Sequence, residues 1–265
     1  MMNITIGQYY PAESFVHRLD PRVKLLGVIV FIAMLLSAVN VWGYVFAGLC
    51  LAAVIYATRV PVKYMLRGLK AILFIVVFTA VLNLFFTPGE DVLFEYWVIR
   101  VTMEGVQLTV MMCVRLSMLV VGSSILTLTT SPTQLTDAIE YLLKPLKKIG
   151  VPAHEIAMMM TIALRFIPTL MEEMDKIMKA QMARGADFDT GGIIKKAKSM
   201  IPLLVPLFIS AFRRADELSV AMEARCYRGD VNRTKLRKLK FAARDYRVMV
   251  YVAVFVGIMV LLRLV

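Results

Sequence analysis

Residues 23–39, VKLLGVIVFIAMLLSAV, are followed after a single Asn40 by VWGYVFAGLCLAAVIYA at 41–57. A bilayer's hydrocarbon core takes about 20 mostly apolar residues of helix to cross. Inside lipid, every backbone N–H and C=O must be satisfied within the segment. Two such runs with one residue between them therefore predict a tight helical hairpin in a membrane. Three more runs follow: AILFIVVFTAVLNLFFT at 71–87, ended by Pro88-Gly89; 106–130, ended by Ser131-Pro132; and 246–265. The expectation is an all-α membrane protein with about five transmembrane helices. Composition agrees, since 59% of the chain is hydrophobic against about 45–50% for soluble domains. Residues 1–22 are polar and contain Pro11 and Pro21. They cannot supply a signal peptide's apolar core, so the run from Val23 is expected to persist as a span.

Loop charge predicts the orientation, because Lys and Arg accumulate on the cytoplasmic side. His17, Arg18, Arg22 and Lys24 precede or open the first run, and Arg59, Lys63, Arg67 and Lys70 lie between the second and third. The next loop carries Glu90, Asp91, Glu95 and Glu104 against Arg100. The N-terminus is thus expected in the cytoplasm, the 88–105 loop outside and the C-terminus outside. The segment 131–245 falls inside, with the basic run RTKLRKLK (233–240) anchoring the last span. The net charge of +12 follows from such loops, and no nucleic-acid module is present. The expected division is 1–130, 131–230 and 231–265.

Two apolar stretches in the interior segment, 156–171 and 200–212, are not expected to span. The first contains Arg165 and Pro168 and runs into Glu172, Glu173 and Asp175; the second contains Pro202 and Pro206 and runs into Arg213, Arg214, Asp216 and Glu217. Stretches this short and this charged fit buried or interfacial helices better. Both are amphipathic at steps of three and four. Met160, Ala163, Ile167 and Leu170 share one face, and Leu204, Phe208 and Ala211 share another. Continued, the stripes reach Arg184 and Arg225. Three interior helices are predicted, near 133–149, 153–184 and 199–228. The first is interrupted near Pro145, and Gly185 and Gly229 are expected to cap the other two.

Both arginines sit in an Ala-x-x-Ala-Arg pattern, AQMARG at 180–185 and AMEARC at 221–226, 41 positions apart (225 − 184). The same offset aligns Glu172 and Glu173 with Arg213 and Arg214. If the two helices cross near their middles, opposite charges flank the crossing. Small residues beside an arginine let a helix end approach another surface, where the guanidinium can fork onto a carboxylate. Two such ends suggest two similar sockets on one partner, or two related partner subunits.

These blocks carry a family resemblance. SFVHRLDPRVKLL (14–26), RFIPTLMEEMDKIMKAQMARGADF (165–188) and RADELSVAMEARCYRG (214–229) resemble the transmembrane T component of energy-coupling factor transporters, the CbiQ-like family, along nearly the whole chain. The resemblance implies two ATP-binding-cassette ATPase subunits (A and A′) and a substrate-binding S component as partners, all at the cell membrane. It places ATPase docking at Ala183, Arg184, Gly185, Ala224, Arg225 and Cys226, the last where glycine is common. It places S-component packing on Met160, Ala163, Ile167, Leu170, Leu204, Phe208 and Ala211. Methionine-rich faces of this kind suit a surface that repacks. The subunit would bind neither cofactor nor imported vitamin or metal ion, ATP being held by its partners.

Other classes find less support in the residues. A self-contained secondary transporter would use an intramembrane charge, and Arg115 lies inside the fourth run. No acidic or histidine partner stands in the other runs, so a structural role is expected, the guanidinium either bonded to carbonyls or snorkelling outward. An intramembrane enzyme would need a nucleophile and base or metal ligands. Cys50, Cys113, Cys226, His17 and His154 are scattered, and no phosphate-binding glycine loop occurs, so no catalytic or metal residue is expected.

Overall fold

The computed structural model describes residues 9–89, 91–96, 99–186, 188, 192–229, 239 and 241–264. Among them the chain forms α1 (Pro21–Ser37), α2 (Val41–Thr58), α3 (Val62–Phe86), β1 (Val92–Tyr96), β2 (Ile99–Thr102), α4 (Met103–Thr129), α5 (Pro132–Leu143), a 3-10 turn (Lys144–Ile149), α6 (Ala153–Ala183), α7 (Ile193–Ala224) and α8 (Ala243–Leu264). Contacts divide it into two units, 1–138 with 237–265, and 139–236. Apart from Leu239, the basic run 233–240 lies outside the described residues.

In the first unit α1, α2, α4 and α8 pack together, and α3 pairs with α4. Among the described residues four helices are long and apolar enough to cross a membrane: α2, α3, α4 and α8. The remaining expected span, α1, has 17 residues, about 26 Å of axis against a hydrocarbon core near 30 Å. It stops at Ala38, whose extended backbone turns the chain toward Asn40 and α2. Helix α3 starts at Val62, well before its apolar run, so Lys63, Arg67 and Lys70 are helical. Backbone hydrogen bonding does not stop where hydrophobicity does. Of the α3 residues only Met65 is buried; Phe74 is 79% exposed and stacks on Phe78 at 6.2 Å. Apolar side chains facing outward are what a helix presents to lipid.

Polar contacts latch one end of this unit. Asp20 caps α1 by accepting from the Arg22 N–H at 2.9 Å, with Pro21 preset for the first turn. The Asp20 N–H donates to Asp245 Oδ1 at 2.9 Å, and the other Asp245 oxygen accepts from the Ala242 N–H at 2.8 Å. One buried carboxylate thereby closes the start of α8 and fastens it to the start of α1. The Lys24 ammonium donates to the carbonyls of Thr129 at 2.9 Å and His17 at 3.2 Å, binding the end of α4 to the same cluster.

The connection between α3 and α4, expected only as an acidic loop, contains the antiparallel hairpin β1–β2. Its sequence is rich in β-branched and aromatic residues, which favour strands. Thr102 ends it by donating to the Thr87 carbonyl and capping the Gly105 N–H at 3.1 Å.

Candidate functional site

Arg115, the one charge inside the fourth apolar run, is held by protein. Its guanidinium donates to the Ala38 carbonyl at 2.8 Å and to the Tyr44 hydroxyl, and lies over the Tyr44 ring at 5.5 Å. The Tyr44 hydroxyl in turn donates to the same Ala38 carbonyl at 2.9 Å. Ala38 ends α1 and is left with an unmatched carbonyl, so Arg115 acts as a cap supplied from α4. The hairpin turn of α1 and α2 therefore sits on the order of 15 Å below the start of α4, twelve residues back from Met103.

The second unit contains α6 and α7, of 31 and 32 residues. Neither is among the helices apolar enough to cross a membrane. The predicted break near Pro145 is present, because α5 stops at Leu143 and tightens into the 3-10 turn. Helix α7 starts at Ile193, six residues earlier than expected.

Helices α6 and α7 pack on each other at a charged contact. Arg214 Nη2 donates to Glu173 Oε2 at 3.0 Å, and the Ser210 hydroxyl donates to Glu173 Oε1. That Ser210 bond, followed by the Arg214 charge, holds the Glu173 carboxyl below its usual range. Glu173 with Arg214 is one of the two pairs that the 41-residue offset aligns. Ser210 was not anticipated, although it stands one turn before Arg214 on the same face.

Both helix ends are built alike. After α6, Gly185 N–H bonds the Met182 carbonyl at 2.9 Å and Ala186 N–H bonds Gln181 at 3.0 Å; after α7, Cys226 N–H bonds Glu223 at 2.8 Å and Tyr227 N–H bonds Met222 at 3.0 Å. Each is a complete Schellman motif, and Arg184 and Arg225 occupy the same capping position, at φ −88° and −93°. The left-handed residue that follows is Gly185 (φ 88°) in one case and Cys226 (φ 56°) in the other. The expected cap Gly229 is thus corrected. The turn must close immediately after the arginine, and Cys226 takes the strained conformation that glycine adopts freely.

All six residues of the two arginine ends, Ala183 to Gly185 and Ala224 to Cys226, are exposed. Of the stripe residues, Ala163, Ile167, Leu204 and Phe208 are exposed, while Met160, Leu170 and Ala211 are half-buried. The stripes are therefore partly covered and partly open.

The two arginines point apart. Each lies eleven residues beyond the Glu173–Arg214 contact, about 16 Å of axis. The chain after α7 returns to the start of α6, where a side chain built at Gly229 would approach Glu155 Oε1 to 3.9 Å. Glu155 and Arg184 are separated by about 43 Å along α6, whereas Arg225 is four residues from Gly229, at most about 14 Å of chain. Arg184 and Arg225 are consequently on the order of 20–30 Å apart, at opposite ends of the crossed pair.

Comparison with known proteins adds the following. Residues 12–236 match the family described as CbiQ, cobalt transport protein. A protein of Thermosediminibacter oceani named energy-coupling factor transporter transmembrane protein EcfT is 56% identical over 245 residues, 92% of each chain. Proteins of the same name are 53% identical in Clostridium kluyveri, covering 99% of this chain and 97% of theirs, and 47% identical in Bacillus subtilis, covering 99% of both.

Proposed function

This chain belongs to the CbiQ family of cobalt transport proteins, and from that premise we propose that it is the transmembrane component of an energy-coupling factor importer. It converts movement of two ATPase subunits into movement of a substrate-binding S component in the cell membrane. Arg184 with its neighbours Ala183 and Gly185 docks one ATPase subunit, and Arg225 with Ala224 and Cys226 docks the other. The exposed stripe residues Ile167, Ala163, Leu204 and Phe208 pack against the S component, with Met160, Leu170 and Ala211 behind them. The N-terminus lies in the cytoplasm and the C-terminus outside. The chain is a non-catalytic subunit without cofactor; ATP belongs to its partners, and the imported vitamin or metal ion to the S component.

The observation that carries this reading is the pair of arginine-bearing helix ends, closed by the same capping motif, at opposite tips of one crossed pair. A single socket cannot engage two tips on the order of 20–30 Å apart, so two sockets are required. Glu173 and Arg214 pin the helices between them, so a change in socket spacing rotates one helix against the other. The rival reading as a self-contained carrier loses its support, because Arg115 is engaged by Ala38 and Tyr44.

The test uses the complete complex with Arg184→Glu, Arg225→Glu and both together. Membrane insertion should persist, each single change should lower ATP-driven uptake at least about tenfold, and the double change should release the ATPase subunits on purification. Normal uptake by the double variant refutes the docking role.

A further inference from the structure

The two arginine ends share a capping motif but not their flanking charge. The 41-residue offset that aligns Arg184 with Arg225 also aligns Lys176, Lys179 and Met182 with Glu217, Val220 and Glu223. Within each set the residues recur every three positions, so they follow one side of the last turns of their helix. All six are exposed, Met182 by 49% and Val220 by 66%. Between the Glu173–Arg214 contact and the cap, residues 174–184 carry Asp175 against Lys176, Lys179 and Arg184, a net charge of +2. The equivalent residues 215–225 carry Asp216, Glu217 and Glu223 against Arg225, a net charge of −2. Beside Ser210, burial and Arg214, the Lys176 charge is the smallest influence on the Glu173 carboxyl. Lys179 stands a further turn toward the tip.

A partner surface that receives one of these ends meets two ammonium groups beside the arginine at α6, and two carboxylates at α7. Opposite charges steer and orient an approach, whereas like charges brought together oppose it. A socket suited to one flank therefore disfavours the other. We propose that the flanks decide which ATPase subunit each end takes. Lys176 and Lys179 direct α6 to a subunit whose socket is rimmed by carboxylates, and Glu217 and Glu223 direct α7 to a different subunit whose socket is rimmed by Lys or Arg. The shared arginine grips, and the flank selects, in part by repelling the wrong end. This assignment rests on the docking role given to Arg184 and Arg225, and it makes the two ATPase subunits non-identical.

The complete complex is assembled with photoreactive p-benzoylphenylalanine in place of Ala180 or Ala221, equivalent exposed positions one turn before each arginine. After irradiation, the ATPase subunit joined to each end is identified by mass spectrometry. The expected result is one subunit at position 180 and the other at 221. Combining Lys176→Glu, Lys179→Glu, Glu217→Lys and Glu223→Lys should exchange the two, lowering the original pairing at least about tenfold. The same subunit at both ends, or an unchanged pairing in the fourfold variant, overturns the charge assignment and leaves the docking role standing. No ATPase subunit joined at either end overturns the docking role, and the charge assignment with it. Should the fourfold variant not assemble, Lys179→Glu alone should weaken the cross-link at 180 about threefold or more and spare that at 221, and Glu223→Lys should do the reverse. Equal effects at both ends, or none, again overturn the assignment.

Discussion

Glu173 of α6 accepts hydrogen bonds from Arg214 of α7, at 3.0 Å, and from Ser210 one turn earlier. Both partners of the ion pair are about a quarter to a third exposed. Water screens the charge attraction, so the contact contributes position more than stability. Exchanging the charges (Glu173→Arg with Arg214→Glu) should recover what either single change loses. The coupling measured in a double-mutant cycle should be about 1 kcal/mol or less. Because its folded pKa is depressed below 4.5, Glu173 contributes fully above that pH and loses its contribution as pH falls through the lower folded value. Failure of the double variant to restore uptake would show that the pair does not set the crossing.

Cys226 takes a backbone conformation that suits glycine, whereas Gly185 already is one. Cys226→Gly should stabilise the end of α7 and slow hydrogen exchange at the Tyr227 amide. Gly185→Ala should destabilise the end of α6 by on the order of 1 kcal/mol. Opposite signs at two equivalent positions are the result to look for by exchange mass spectrometry.

Arg115 is expected to behave as a structural residue. Arg115→Met removes one of the two donors to the Ala38 carbonyl and the donor to the Tyr44 hydroxyl, and should lower stability by about 1–3 kcal/mol, read as a thermal midpoint in detergent. The surviving folded fraction should still support uptake in the assembled complex. Lost uptake at unchanged stability would contradict this.

His17 precedes α1 and donates from Nε2 to the Tyr10 carbonyl at 3.0 Å, with the Ser14 hydroxyl on Nδ1 at 2.7 Å. Burial, helped by the Lys24 charge, lowers its pKa below 6.5. The unfolded chain therefore takes up the proton first. Stability is undiminished above pH 6.5 and declines as pH falls from there toward the lower folded value. Thermal midpoints from pH 7.5 to 5 should show a smaller decline in His17→Gln than in the native chain.

Asp245 is 2% exposed and gives one oxygen to each of two backbone N–H groups. Asp245→Ala should cost about 1.5–3 kcal/mol and raise hydrogen exchange at the start of α8 before the other helices. Uniform exchange along the chain would argue against its role as the fastening between α8 and α1.

Local physics made much of this protein legible from residues alone. Apolar runs of bilayer length located the membrane helices, Asn40 marked the turn between two of them, and Pro145 marked the break after α5. The 41-residue offset aligned Arg184 with Arg225 and Glu173 with Arg214, since helical spacing is a property of a single segment. The hairpin at 92–102 was less visible, because Glu90, Asp91, Glu95 and Glu104 make the 88–105 connection read as an acidic loop before its alternation reads as strand.

What the tertiary structure alone decided are relations between positions distant along the chain. Arg115 meets a carbonyl 77 residues away, and Asp245 an amide 225 residues away. The two arginine tips face opposite ways because the chain after α7 turns back to the start of α6. Periodicity places a side chain on a face of its own helix. Which carbonyl that face meets, and whether two tips converge or diverge, depends on how the helices pack, which no single segment contains.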